Sequence, residues 1–386
     1  MSLLHIIEGS LGIVSTSPPC IILLLRYDTV ILQHNNNHKM KTAKVEELDA
    51  DDTLGDTTEK SPSKLSYKTT CNFYNLLNVV GYLVSLITSY LGGVAGWFGT
   101  NNAELSSKYQ TLITPSATYF GYIWGAIYIF EGFFTIAQIL PKYREQPLVQ
   151  KGIGSTYFLV CAAQSAWTIT FGYELLVAAF VAMVGIFLSL MFILKRQWDV
   201  VTEENKKSNA AESLGETEEE AVEEDATFPP PRPGYWCLRF PFPLHAGWIS
   251  VATPLMLSVL LVSRDVEPEY ELWAAVISLP LLFGACMGLL LREDKGAPSY
   301  VYPATVAYGC IGICWELTAP SQAILERHDD ASIGLMKNLS GFCGGCLLIT
   351  IVSRFIALFL RDQCMKCNKK DESVSMNDEE FEYVQA

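Results

Sequence analysis

Between Tyr74 and Leu360 the chain falls into eight apolar runs, at 74–98, 116–140, 153–172, 174–194, 244–263, 271–291, 300–319 and 335–360. Each has roughly the 17–25 residues that a helix needs to cross a hydrocarbon core of about 30 Å. The apolar residues are blocked into runs rather than spread as one face of amphipathic helices. No series of alternating ten-residue segments suggests a membrane barrel. The pattern predicts an all-α membrane protein with about eight transmembrane helices. Only Tyr173 and Glu174 separate the third run from the fourth, which predicts a tight helical hairpin.

Composition agrees with the pattern: half of the 386 residues are hydrophobic, and the mean hydropathy is +0.24. Lys and Arg then set the orientation. With eight crossings, eighteen of them fall on the side of the termini, whereas Lys108, Arg264, Arg327 and Lys337 fall on the other. That bias predicts both termini in the cytoplasm, and it leaves open which membrane the chain occupies. The net charge of −14 does not contradict it, because orientation follows basic residues rather than net charge. The acids concentrate in 46–59, 203–225 and 362–382, where water is their expected partner and nothing points to nucleic acid.

The runs organise the rest of the chain. Residues 1–73 hold no convincing domain and read as a mostly disordered N-terminal region. Residues 74–264 supply five helices, interrupted by an acidic and proline-rich cytoplasmic loop at 195–243 that carries Glu218–Glu220 and Pro229–Pro231. Residues 271–360 supply three more helices, and 361–386 form an acidic cytoplasmic tail.

Candidate chemistry lies inside the runs. On the second helix Phe120, Trp124, Tyr128, Glu131, Thr135 and Gln138 recur every three or four residues and share one stripe. Glu131 falls in the middle half of its span, where an ionised carboxylate is costly, so the group must face the bundle or a wet cavity, or stay protonated. Tyr157, Cys161, Gln164 and Thr168 form a similar stripe on the third helix, with Trp167 beside it, and His245, Trp248 and Ala252 share a face of the fifth. One reading gives these groups to interhelical bonding and core filling. The other is a pocket with aromatic walls and few polar anchors, lined by Phe120, Trp124, Tyr128, Glu131, Gln164, Trp167 and Trp248.

No metal site is expected. Cys343–Cys346 and Cys364–Cys367 have zinc-like spacing, but the helix between them would hold the two pairs roughly 20 Å or more apart. Of five histidines only His245 is placed beside the bilayer. No His-Glu-x-x-His helix, nucleophile elbow or phosphate-binding glycine loop occurs, so nothing argues for an enzyme or a cofactor.

The stretch Thr114-Pro115-Ser116-Ala117-Thr118-Tyr119-Phe120-Gly121-Tyr122-Ile123-Trp124, followed by Tyr128 and Gly132, resembles the second-helix signature of the tryptophan-rich sensory protein and translocator protein family. Trp167, Thr168 and Phe171 are similar to its third-helix pattern, and Trp248 with Ala252 to its fifth. The resemblance covers residues 74 to about 264 and implies a five-helix translocator-like core with a three-helix extension. Ser116 replaces a proline, Gln164 an asparagine, and Glu131 stands where the family has an apolar residue. What the resemblance implies is a binding or sensing protein for a tetrapyrrole- or sterol-like ligand, in contact with membrane lipid and self-associating as a homo-oligomer. The alternative expectation is a proton-coupled transporter of a small amphipathic solute that uses Glu131.

Overall fold

In the computed structural model, which describes residues 73–213, 234–291 and 300–383, each apolar run forms a helix, and no described residue lies in a strand. The eight are α1 (Phe73–Thr88, widening into a π turn at Ser89–Val94), α2 (Ala117–Ala137), α3 (Thr156–Gly172), α4 (Leu176–Ser213), α5 (Pro241–Ser263), α6 (Pro268–Leu291), α7 (Val301–Glu316) and α8 (Asp330–Tyr383). Six helices are long and apolar enough to cross a membrane, whereas α3 and α7 have 17 and 16 residues. At 1.5 Å per residue these two reach about 25 Å, the lower end of what a span requires. Both are inner helices, α3 packed on α1 and α4, and α7 on α5 and α8.

Two helices outrun their apolar segments. The loop expected from residue 195 begins as helix instead, because α4 continues to Ser213. Lys195–Asp199 at 3.2 Å and Glu203–Lys207 at 2.8 Å, each one helical turn apart, support that polar extension. The chain is helical again from Tyr235. α8 likewise continues beyond Leu360 to Tyr383. Residues 1–72 and 214–233, which include the expected N-terminal region and the proline run, lie outside the described residues.

Burial is reversed relative to a protein dissolved in water. Leu76, Val80, Leu83 and Ile87 of α1, Ile277 and Leu281 of α6, and Phe342, Ile349 and Ile356 of α8 face outward, while Asn75, Asn78, Glu131, Gln164, His245 and Glu271 are buried. Hydrocarbon as solvent demands this, since polar groups must find partners inside. Trp97, Tyr173, Tyr270, Trp273 and Trp315 are exposed around the end of the bundle where α1, α3 and α7 finish and α6 starts. That is the placement of an interfacial aromatic belt.

The hairpin between α3 and α4 is as tight as expected. Leu175 N–H reaches Thr170 O at 2.8 Å across a turn in which Glu174 adopts φ 59°. A non-glycine residue there is uncommon. Its carboxylate is fixed by Lys108 Nζ at 2.5 Å and Tyr109 Oη at 2.6 Å, and the Lys108 bond foremost holds it below the usual carboxylate range.

At the centre stands α5. All twelve residues from Pro241 to Ala252 are buried, as expected of a helix surrounded on every side. It touches α2, α4, α6 and α7. The contact with α7 is close enough to require glycine: a Cβ at Gly247 would stand 2.8 Å from Tyr302 O. Nearby, Ser250 Oγ and Tyr302 Oη are 2.8 Å apart. The three C-terminal helices therefore build directly onto the central helix.

A buried carboxylate clasps these helices to the rest. Glu271, at the start of α6, accepts from Leu112 N–H at 3.1 Å through Oε1. Its Oε2 lies 3.1 Å from Arg327 Nε and 3.0 Å from His328 Nε2. His328 is thus a second buried histidine, besides the His245 expected from sequence. Glu271→Ala would strand the buried His328 imidazole and the Leu112 amide, and take one partner from the half-buried Arg327. Removing one partner of such a pair costs roughly 3–5 kcal/mol. A markedly lower midpoint of thermal unfolding in detergent is the expected outcome, and an unchanged midpoint would show that the clasp bears no load.

Candidate functional site

The second-helix stripe divides at Glu131. Towards the C-terminal end of α2 its members serve structure. Thr135 Oγ1 donates to Glu131 O at 2.8 Å, and Gln138 Oε1 accepts from Asn78 Nδ2 at 3.0 Å, with Asn75 Nδ2 on its backbone carbonyl at 2.9 Å. Towards the N-terminal end the aromatic members meet α3 and α5.

There the rings form a ladder across two helices. Tyr128 stacks on Trp124 with centroids 5.9 Å apart and planes 28° apart; Trp124 faces Trp167 at 6.2 Å and 16°; Trp167 faces Phe171 at 5.2 Å and 13°. Phe120 meets Trp248 of α5 edge-on at 5.6 Å and lies 6.3 Å from Trp124. Offset stacks and edge-on pairs at these separations are favourable geometries for aromatic rings. Tyr128 Oη is tied to Ser89 Oγ, in the π turn of α1, at 2.5 Å, and its backbone carbonyl accepts from Tyr82 Oη at 2.9 Å.

Below the ladder Glu131 has found a partner. Its Oε1 lies 2.7 Å from Nδ1 of His245 on α5, and its Oε2 accepts from Tyr157 Oη of α3 at 3.2 Å. All three residues are buried. Burying a lone carboxylate is prohibitive, and a hydrogen-bonded imidazole with a phenol is the type of compensation it requires. The imidazole also stands edge-on to Trp124 at 5.8 Å, so the acid–base pair and the aromatic ladder form one cluster. Phe120, Trp124, Tyr128, Glu131, Trp167 and Trp248 thus come together. Gln164 is buried one turn before Trp167 and Thr168, where its backbone carbonyl accepts from Thr168 Oγ1 at 3.1 Å.

His245 and Tyr157 join the cluster from helix faces whose spacing alone gives them no role. The signal available was chemical: a single acid inside α2 and a single histidine placed beside the bilayer, each needing a partner.

Five side-chain atoms of this cluster are buried without a hydrogen-bond partner: Nε1 of Trp124, Trp167 and Trp248, Oε1 of Gln164, and Nε2 of His245. Such atoms are few in a native interior, and each calls for an explanation. The three indoles and the imidazole belong to one set of ring contacts through Trp124 and Phe120, and Gln164 lies one turn before Trp167; elsewhere Gln138, Ser258 and Tyr300 also carry a buried unpaired atom.

A comparison with protein families matches residues 75–335 to the TSPO-like protein family. The chain belongs to this family. It is an integral membrane protein of the TSPO type. The matched span is wider than the 74–264 suggested by the motifs alone and takes in α6, α7 and the first turn of α8. Searches of curated proteins and of solved structures returned no match. For this family member the Glu131–His245 contact yields a direct prediction. His245→Leu alone should cost roughly 3–5 kcal/mol by stranding the carboxylate, whereas the Glu131→Leu/His245→Leu double variant should recover most of that loss. Denaturant unfolding in mixed micelles measures both; additive losses would show that the two residues do not act as a pair.

Proposed function

We propose that this protein binds a flat lipophilic ligand, tetrapyrrole- or sterol-like, between α2, α3 and α5, and that it works as a binding or sensing protein rather than as an enzyme. The observation that carries the reading is the coincidence of stacked indoles with unpartnered buried polar atoms in one cluster. Flat apolar faces with a few fixed polar groups are what a small-molecule site provides. Trp124, Trp167 and Trp248 would form walls, with Phe120 closing the edge. Tyr128, Glu131 and Gln164 would orient the ligand's polar groups. The charge bias of the loops supports placing both termini in the cytoplasm.

One observation favours a second reading, proton-coupled transport of a small amphipathic solute. An intramembrane carboxylate paired with an imidazole is the material of a proton relay. Two assays separate the readings. Protoporphyrin, haem and a sterol panel, titrated into purified protein, should quench tryptophan fluorescence saturably. Trp124→Ala should weaken binding on the order of thirtyfold, as loss of a buried aromatic anchor does. Unchanged affinity in that variant would remove Trp124 from the site. Uptake into proteoliposomes that requires a proton gradient and is abolished by Glu131→Gln would instead favour transport.

A further inference from the structure

Where α4 runs out of its apolar stretch, an arginine stands without an anion. From Leu176 to Leu194 the helix carries no charge, and those 19 residues rise about 28 Å, so Lys195 and Arg196 arrive at head-group depth. Arg196 also continues an outward stripe. Val181, Leu188 and Phe192 are exposed at helical spacing, and Arg196 follows Phe192 by one turn. The first two carboxylates after it on α4 are taken, Asp199 by Lys195 at 3.2 Å and Glu203 by Lys207 at 2.8 Å. Among the described residues Arg196 makes no ion pair and no hydrogen bond. Its guanidinium lies over the Phe192 ring, 5.5 Å from the centroid. A ring face accepts no conventional hydrogen bond, so the five N–H donors stay available.

The surroundings suit an anion. Gly154, at φ 55°, brings bare backbone beside the guanidinium: a Cβ there would stand 3.7 Å from Nη1 and 4.0 Å from Nη2, and a longer side chain would occupy the space. Two residues later α3 begins at Thr156, so the positive end of a 17-residue helix lies at this same end of the bundle, as does the exposed Lys151.

We infer that Arg196 holds the phosphate of an anionic phospholipid whose acyl chain lies along Phe192, Leu188 and Val181. The inference is independent of the aromatic cluster and assigns a lipid site at the rim of the bundle. A guanidinium presents paired N–H donors that match two phosphate oxygens, which an ammonium does not reproduce. The apolar stripe continues from the arginine in the direction an acyl chain would take, a feature of no use to a soluble phosphate. In phosphatidylcholine the trimethylammonium group offsets the phosphate, so the site favours phosphatidic acid.

The test is native mass spectrometry of the full chain, released from detergent micelles and titrated with phosphatidic acid or phosphatidylcholine of identical acyl chains. Phosphatidic acid should bind several-fold more tightly. Arg196→Gln should weaken its first binding step about fivefold, the scale of one basic contact to an anionic head group, and leave phosphatidylcholine unchanged. Arg196→Lys keeps the charge without the fork and should fall between. Lys195→Gln, at the same depth but paired with Asp199, should change little, and excess glycerol phosphate should not displace the lipid. Equal binding of the two lipids, or a preference that Arg196→Gln leaves intact, would overturn the assignment. Equal losses in Arg196→Gln and Lys195→Gln would replace the site by diffuse surface charge, and displacement by glycerol phosphate would replace the lipid by a soluble phosphate. Unchanged melting midpoints establish that the variants are folded. If Arg196→Gln melts lower, Arg196→Lys decides alone, and unchanged affinity there would overturn the guanidinium contact.

Discussion

The bundle is organised around the need to neutralise Glu131. A carboxylate half-way along an apolar helix is tolerated only if other helices bring hydrogen-bond partners to it, and two do: α3 supplies Tyr157 and α5 supplies His245. That requirement draws α5 into the interior next to α2. Once there, α5 carries Trp248 against Phe120 and the imidazole against Trp124, so the aromatic walls follow from the electrostatic contact. The wrapping of α5 by α4, α6 and α7 has the same origin. A helix that holds a buried carboxylate–imidazole hydrogen bond within the membrane must be shielded on all sides, from lipid as well as from water.

The three C-terminal helices serve that shielding rather than forming a separate module. Gly247 lets α7 lie directly on α5, and Ser250 meets Tyr302 across the contact. At the other end of the bundle Glu271 joins the chain before α2 to the linker before α8. The two buried acids therefore have complementary parts. Glu131 sits beside an aromatic cluster in which the indole nitrogens have no hydrogen-bond partner, the observation on which the binding proposal rests. Glu271 is saturated by an amide, a guanidinium and an imidazole, the condition of a fastening.

Much of this was legible in the sequence, for identifiable reasons. Helical periodicity placed Phe120, Trp124, Tyr128 and Glu131 on one stripe, because neighbours on a helix face are fixed by spacing alone. The tryptophan pattern of the second helix pointed to the family that the comparison established. Partners distant in sequence were not legible. His245 lies 114 residues from Glu131, and only the packing of α5 brings them together. The clasp at Glu271 escaped for the same reason, since its partners come from two loops. Apolarity alone does not mark helix ends: α4 continues through Lys195 to Ser213 on ion pairs and helix propensity, which hydropathy does not register. α3 and α7 are slightly shorter than their apolar runs, because apolar residues such as Ile153 and Leu317 flank the helices.

The central claim is that His245 is held by Glu131 through Nδ1 inside a buried aromatic cluster. The most direct test is nitrogen-15 NMR of the histidine rings of protein in nanodiscs, with the His245 signal assigned by its loss in His245→Gln. The account predicts a proton on Nδ1 in a strong hydrogen bond, exchanging slowly with solvent. A ring protonated only at Nε2, or one whose Nδ1 proton exchanges as fast as that of an exposed histidine, would contradict it.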